Sequence, residues 1–371
     1  MKRKLLSLAM ACVMLTAITA CSGTGSKNDA PADNAASSTS ETSSLASAEK
    51  GAGEGKRICI VYSGTLGDRS YNDSCNRGAE LAAADFGVEV KNLEGTKAEE
   101  WKANFVSACE EGYDLIICSS SNLEVYLKEY APQYPDVKFA IIDTTVEGDN
   151  IVSISFAQNQ GSFLAGAAAA MFTEMTDIEG INKDKVIGWV GGMDIPVLQD
   201  FYTGYEQGAK YVNPDITVLQ SFAGVWNDPL KGKELTLAQY EQGADIVMNV
   251  AAGTGSGILE AAAETGKYAI GVDQNQDADQ PGHVLTSMIK RVDRACYLTI
   301  QSVVEDTFKG GSVSYLTIED GGVGLTDFAE MKKALGDKFP EDMLTKLAEI
   351  EEKIISGEIV VENYEGFGPQ K

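Results

Sequence analysis

Two aspartates each close an apolar run. Phe139-Ala140-Ile141-Ile142 leads into Asp143, and Tyr268-Ala269-Ile270-Gly271-Val272 leads into Asp273. Runs of this length read as strands covered on both faces, and open parallel sheets bind ligands beyond the carboxyl ends of their strands. The two carboxylates are therefore candidate acceptors for a polar ligand, or a general acid–base pair. A third carboxylate, Asp68, lies in the loop Gly64-Thr65-Leu66-Gly67-Asp68-Arg69-Ser70-Tyr71-Asn72-Asp73 after the first apolar run. A loop that opens a helix presents free amides to a hydroxylated or anionic ligand, or simply caps the helix with Asn or Asp. Lys290, in Ser287-Met288-Ile289-Lys290-Arg291-Val292-Asp293 at the expected start of a long helix, is placed to meet a carboxylate in a cleft, or is a solvated surface lysine. Trp226, in Gly224-Val225-Trp226-Asn227-Asp228-Pro229, offers a stacking face or folds onto its own lobe. Gly253-Thr254-Gly255-Ser256-Gly257 has neither the dinucleotide spacing nor the Lys-Ser/Thr of a phosphate loop. It suits close backbone approach to a ligand, or a strand–helix turn.

Other chemistries fit poorly. Asp273-Gln274-Asn275-Gln276-Asp277-Ala278-Asp279 resembles the start of a calcium loop, but Ala278 occupies the glycine place and Val284 the place of the bidentate Glu. The only histidine, His283, sits in the turn-like Pro281-Gly282-His283 and reads as structural. Cys59, Cys75, Cys109, Cys118 and Cys296 contain no C-x-x-C, and Cys59 and Cys118 fall inside apolar runs, as buried small hydrophobes do. The expectation is no catalytic residue, no metal and no cofactor.

The N-terminal part addresses the chain to a membrane surface. Lys2, Arg3 and Lys4 precede an uncharged stretch from Leu5 to Ala20, too short for a convincing span. It ends Ile18-Thr19-Ala20-Cys21, which resembles the bacterial lipoprotein signal with Cys21 as the acylated first residue. Residues 1–20 are thus a signal peptide. Residues 21–55 are the lipidated cysteine and a flexible linker, whose only large apolar side chain is Leu45. Losing three positive charges takes the net charge from −25 to −28, which disfavours nucleic acid and anionic headgroups.

The rest alternates. Strand candidates lie at 57–62, 115–118, 139–142, 151–156, 186–190, 217–221, 246–250 and 269–272. Helix candidates lie at 74–84, 99–110, 123–130, 160–174, 197–212, 231–242, 257–265, 290–308 and 341–355, the pattern of an α/β chain with parallel sheets. The pattern also repeats. Gly112-Tyr113-Asp114 and Gly243-Ala244-Asp245 both open apolar runs; Asp114 precedes Asp143 by 29 residues, and Asp245 precedes Asp273 by 28. Asn76-Arg77-Gly78-Ala79-Glu80 and Glu206-Gln207-Gly208-Ala209-Lys210 hold similar places in each half. One fold made twice gives two lobes that hinge around a cleft: residues 56–157 plus about 283–312, and residues 158–282 plus about 313–371.

From about residue 57 to about residue 330 the chain resembles the basic membrane protein family of bacterial lipoproteins, whose studied members include purine-nucleoside receptors of ABC importers. The resemblance is carried by Asp68-Arg69-Ser70-Tyr71-Asn72, Phe139-Ala140-Ile141-Ile142-Asp143, Gly161-Ser162-Phe163-Leu164-Ala165-Gly166, Gly191-Gly192-Met193-Asp194-Ile195-Pro196, Gly208-Ala209-Lys210-Tyr211-Val212-Asn213-Pro214, Ala269-Ile270-Gly271-Val272-Asp273 and Leu285-Thr286-Ser287-Met288. It implies the type I periplasmic-binding-protein fold, two lobes with three crossovers. It implies a substrate-binding lipoprotein on the extracytoplasmic face of the cell membrane, a monomer that takes a nucleoside and serves permease and ATPase subunits. By the same resemblance Asp68 and Asp143 contact the base, Asp273 and Lys290 hold the ribose, Gly253 lines the pocket and Trp226 stacks. Asn76 stands where the family often has a second aromatic, so a base sandwich would lose one face unless Tyr71 or another side chain supplies it. The competing functions are a nucleoside hydrolase acting through Asp68, Asp143 or Asp273, and a sensory receptor that passes closure to a signalling partner.

Overall fold

The computed structural model describes residues 49–368. The signal segment, Cys21 and most of the linker lie outside the described residues. The first half runs β1 (Arg57–Val61), α1 (Tyr71–Phe86), β2 (Glu89–Leu93), α2 (Ala98–Glu111), β3 (Leu115–Cys118), α3 (Glu124–Tyr130), β4 (Lys138–Ile142) and β5 (Ile151–Phe156). The chain then crosses to α4 (Gln158–Thr173), β6 (Val186–Gly191), α5 (Pro196–Val212), β7 (Thr217–Phe222), α6 (Pro229–Glu241), β8 (Ala244–Val250), α7 (Gly255–Thr265), β9 (Tyr268–Asp273) and β10 (Val284–Lys290). It returns for α8 (Val292–Val304) and β11 (Val313–Leu316), then ends with β12 (Val323–Leu325), α9 (Ala329–Leu335) and α10 (Glu341–Ile355).

The doubling read from the sequence is complete in the topology. One six-stranded sheet has the order β11-β5-β4-β3-β1-β2 and the other β12-β10-β9-β8-β6-β7. Exchanging β1 for β6, β2 for β7, β3 for β8, β4 for β9, β5 for β10 and β11 for β12 turns one order into the other. The ladders are parallel except for β12, which runs antiparallel to β10. Alternate strand residues face opposite helical layers. In the first lobe Cys59, Val61, Ile116, Cys118, Phe139 and Ile141 pack against Phe105 of α2 and Leu123 and Leu127 around α3. Helices α1 and α8 pack together, with α1 reaching β2 and α8 reaching β3. In the second lobe α6 and α7 cover one face, while α4 and α5 cover the other. All five cysteines of the described residues are free and buried.

Two lobe boundaries differ from the sequence reading. The crossovers fall between Phe156 and Gln158, between Lys290 and Val292, and between Leu316 and Val323. The division at about 283 and about 312 therefore misplaces β10, which belongs to the second sheet, and β11, which belongs to the first. The segment from Ser287 to Lys290 is strand rather than the start of a helix, because Lys290 is buried as a strand-end cation instead of solvated on a helix face. Strand β2 carries no apolar run, because it pairs only with β1 and none of its side chains is fully buried.

Candidate functional site

The two strand-end aspartates meet as their sequence symmetry implies. Asp143 (φ 68°) and Asp273 (φ 67°) both adopt left-handed backbone, which Asp tolerates better than most residues. The same sharp turn at both strand ends sends both carboxylates into one chamber. Lys290 ends β10 there, 1 % exposed, and its Nζ donates to both oxygens of Asp143 at 2.7 and 2.8 Å. The rings of Tyr71, Phe156 and Phe201 surround the ammonium, with centroids 5.4, 5.1 and 5.2 Å from Nζ, within cation–π range. Asp273 accepts a hydrogen bond from Ser70 Oγ across the cleft. Burial pushes the Asp273 carboxyl up to about 7; Ser70 and Lys290 pull it down, and Asp68 and Asp143 push it further up.

Tyr71 begins α1, and its hydroxyl donates to the Ser119 carbonyl at 2.7 Å. Burial, with the Asp143 charge second, holds that hydroxyl well above the usual phenol range. Asn72 follows it, and its Nδ2 donates to the Thr65 carbonyl at 3.2 Å. Asp68 is spent mostly on the helix: its carboxylate accepts the backbone N–H of Ser70, Asn72 and Asp73 at 3.0, 2.9 and 3.1 Å. Those are donors that a helix start leaves unpaired. Burial raises the Asp68 carboxyl above its ordinary value even so.

The cleft has two connected chambers. The inner one has about 660 Å³ of empty space, part of it open to solvent, between Ser63, Tyr71, Asn72, Ser120, Asn122 and Asp143 of the first lobe and Ile195, Phe201, Trp226, Asp273 and Lys290 from the second sheet and its loops. The outer one shares Ser63, Asn72, Asn122, Ile195, Trp226 and Ala252 with it and adds Asp68, Thr96, Trp101 and Asn227, among others. Trp226 thus stands at the junction. A Cβ on Gly192 would sit 2.4 Å from its indole, so the bare glycine seats the ring. Trp226 therefore lies against its own lobe and lines both chambers.

Two expected pocket residues do not line it. Asn76 lies one helical turn beyond Asn72, farther from the loop that faces the cleft, and its amide bonds to Asn92 of β2 at 2.7 Å and to Glu80 at 2.8 Å. Gly253 packs against the Asn227 side chain and the Trp226 carbonyl instead, where a Cβ would meet Asn227 Oδ1 at 2.9 Å and the Trp226 carbonyl oxygen at 3.3 Å. Its neighbour Ala252 faces both chambers. The lobes also touch beside Asp273: Arg69 pairs with Asp279, and Gln276 Nε2 donates to the Arg69 carbonyl at 2.8 Å. His283 Nδ1 lies 2.9 Å from the Lys267 carbonyl, a structural bond away from the chambers.

Sequence reasoning missed Ser63, Ser120 and Asn122, although Ser119-Ser120-Ser121-Asn122 follows the apolar run of β3 and the strand-tip rule that found Asp143 reaches it too. Phe201 and Trp101 sit in helices and carry no comparable signal. Taken together, two carboxylates, one committed ammonium, hydroxyls, amides and a half-buried indole suit a neutral ligand rich in O–H and N–H donors. A phosphate finds no free cation among these lining residues.

Comparison with known proteins adds identity to this geometry. The family profile described as "ABC transporter substrate-binding protein PnrA-like" matches residues 56–365. Basic membrane protein A of Borreliella burgdorferi is 30% identical over 322 residues, 84% of this chain and 90% of that protein. An uncharacterized lipoprotein of Pyrococcus furiosus is 32% identical over 331 residues, 83% of this chain and 81% of that protein. A crystal structure of an ABC transporter solute-binding protein from Aeropyrum pernix superposes with a TM-score of 0.74 at 29% identity, covering 83% of this chain and 94% of the other.

Proposed function

The chain belongs to the family of PnrA-like ABC transporter substrate-binding proteins, and from that premise we propose that its ligand is a nucleoside, captured between the lobes and delivered to a membrane permease. Proteins of this class bind small molecules for a permease and its ATPase and are not enzymes. The observation that carries the nucleoside reading is the shared inner chamber, where Asp143, Asp273 and Lys290 converge beside Trp226. Vicinal ribose hydroxyls donate to the ionised Asp273 carboxylate and accept from the Lys290 ammonium, leaving Asp143 to the base side. The base then extends past Trp226 toward Asp68, whose carboxylate retains acceptor capacity after its three backbone bonds. Tyr71 and Asn72 complete the first-lobe wall.

The reading includes a monomeric receptor tethered through acylated Cys21 on the extracytoplasmic face. Among the described residues no helix is long and apolar enough to cross a membrane, so such a receptor depends on its anchor.

Calorimetric titration with inosine, guanosine, adenosine, hypoxanthine and ribose tests the ligand. The nucleosides bind one to one and intact, with base and ribose each weaker. Binding of a free sugar with no response to any nucleoside overturns the ligand class, and steady release of free base overturns the receptor class.

A further inference from the structure

The segment after α10 returns to the hinge. Residues Val361, Glu362, Asn363 and Tyr364 are held by hydrogen bonds to side chains at the start of α4, along α5 and in β11. Asn159 Nδ2 donates to the Val361 carbonyl at 3.1 Å. Gln207 brackets Glu362, donating to its carbonyl at 2.9 Å and accepting its N–H at 3.0 Å. Asp200, fully buried on α5, accepts the Tyr364 N–H at 2.8 Å and Asn363 Nδ2 at 3.1 Å on one oxygen, and Gln158 Nε2 at 2.6 Å on the other. The same Asn363 Nδ2 donates at 3.2 Å to the hydroxyl of Tyr315.

The lobe assignment gives this last bond its meaning. Asp200 sits on α5 of the second lobe, whereas Tyr315 belongs to β11, an edge strand of the first sheet. One amide thus donates to both lobes, beside the crossovers that link them. Gln158 is the first helical residue after one crossover, and Tyr315 lies next to the last residue before another. Residue 201, adjacent to Asp200, is the phenylalanine whose ring faces Lys290 in the inner chamber. The strap therefore holds, beside the hinge, the residue next to one wall of the ligand chamber.

We infer that residues Val361–Tyr364 form a latch across the hinge, with Asp200 as its anchor and the Asn363–Tyr315 bond as the contact that breaks when the lobes separate. The three crossovers are covalent and permit rotation; a hydrogen bond between the lobes adds a reversible bias toward the closed arrangement. The strap is fixed to the second lobe by Asp200, Asn159 and Gln207, so the single bond to Tyr315 is the one that rotation must stretch. The latch acts without ligand and does not depend on the nucleoside reading.

Tyr315→Phe removes only that bond and leaves the Asp200 anchor whole. One interlobe hydrogen bond of ordinary net strength shifts an equilibrium roughly 2- to 10-fold. Single-molecule energy transfer between dyes on p-acetylphenylalanine at exposed positions 81 (α1) and 230 (α6) reads the lobe separation of the ligand-free, full-length mature chain. The expected result is a shift toward separated lobes of that size in Tyr315→Phe, with an equal or larger shift in Asn363→Ala and an unchanged melting temperature in Tyr315→Phe. A distribution in Tyr315→Phe that matches the parent chain overturns the latch, whether or not Asn363→Ala folds.

Discussion

Removing Asp143 leaves a buried cation without its partner, and the size of that effect follows from the geometry. Lys290 is 1 % exposed and Asp143 6 %, and both carboxylate oxygens lie within 2.8 Å of Nζ. Two unit charges at about 4 Å in an effective dielectric near 20 attract by about 4 kcal/mol, and deleting one partner of a buried pair costs about 3–5 kcal/mol. The three rings around the ammonium persist in Asp143→Ala and return about 0.5–2 kcal/mol. A net loss of roughly 3 kcal/mol remains, which lowers the melting temperature of a lobe of this size by roughly 10 °C. Urea unfolding of the ligand-free chain, followed by circular dichroism, measures it. Adding Lys290→Met to Asp143→Ala recovers most of the loss, because an apolar replacement removes the stranded charge. A single variant within about 1 kcal/mol of the parent, or a double variant less stable than the single, refutes the buried pair. Asp143→Ala also weakens binding of the cognate ligand roughly 10- to 150-fold, the loss of a hydrogen bond to a charged group.

Asp273 makes stability and binding depend on pH. Its folded-state carboxyl, raised from 3.8 to about 7, keeps a proton that the unfolded chain loses near pH 4, so its contribution is complete below about pH 4 and is lost as pH rises through about 7. Melting curves of the parent and Asp273→Asn between pH 4 and 8 therefore diverge in slope; parallel slopes contradict the assignment. Ligand affinity moves the other way, rising from pH 6 to 8 as Asp273 ionises to accept ligand hydroxyls, and calorimetry at the two pH values checks this. Trp226→Ala lowers affinity for base-bearing ligands by about 1–3 kcal/mol while leaving ribose binding unchanged, as paired titrations would show. Asp68→Ala costs about 0.5–2 kcal/mol of stability through lost capping of α1, whereas Asn76→Ala leaves affinity unaltered; chemical denaturation and titration separate the two.

The features readable in advance were those that repeat or end strands. The matched pairs around Asp114 and Asp245, and the runs closing at Asp143 and Asp273, carried the two-lobed fold and the floor of the chamber, because parallel strands buried on both faces show as apolar runs. Edges were harder. Strand β2 buries none of its side chains fully, and β11 and β12 are four and three residues long, so none produces a pattern above background. A lone lysine at the end of a strand resembles one on a solvated surface, so the sequence pattern puts Lys290 at a helix start although it ends β10 and pairs with Asp143. Asn76 enters the site by resemblance alone, and Gly253 by resemblance and by its glycine-rich loop. Helix geometry turns the first toward β2, and packing on Asn227 and the Trp226 carbonyl engages the second. The latch residues Asp200, Tyr315 and Asn363 are far apart in sequence and share no motif, so only the fold brings them together.

Mass spectrometry of the small molecule released when the purified mature chain is denatured tests the central claim without presupposing a ligand. The geometry of Asp143, Asp273, Lys290 and Trp226 predicts a nucleoside at up to one per chain. A sugar, amino acid or phosphorylated compound in that position would contradict it.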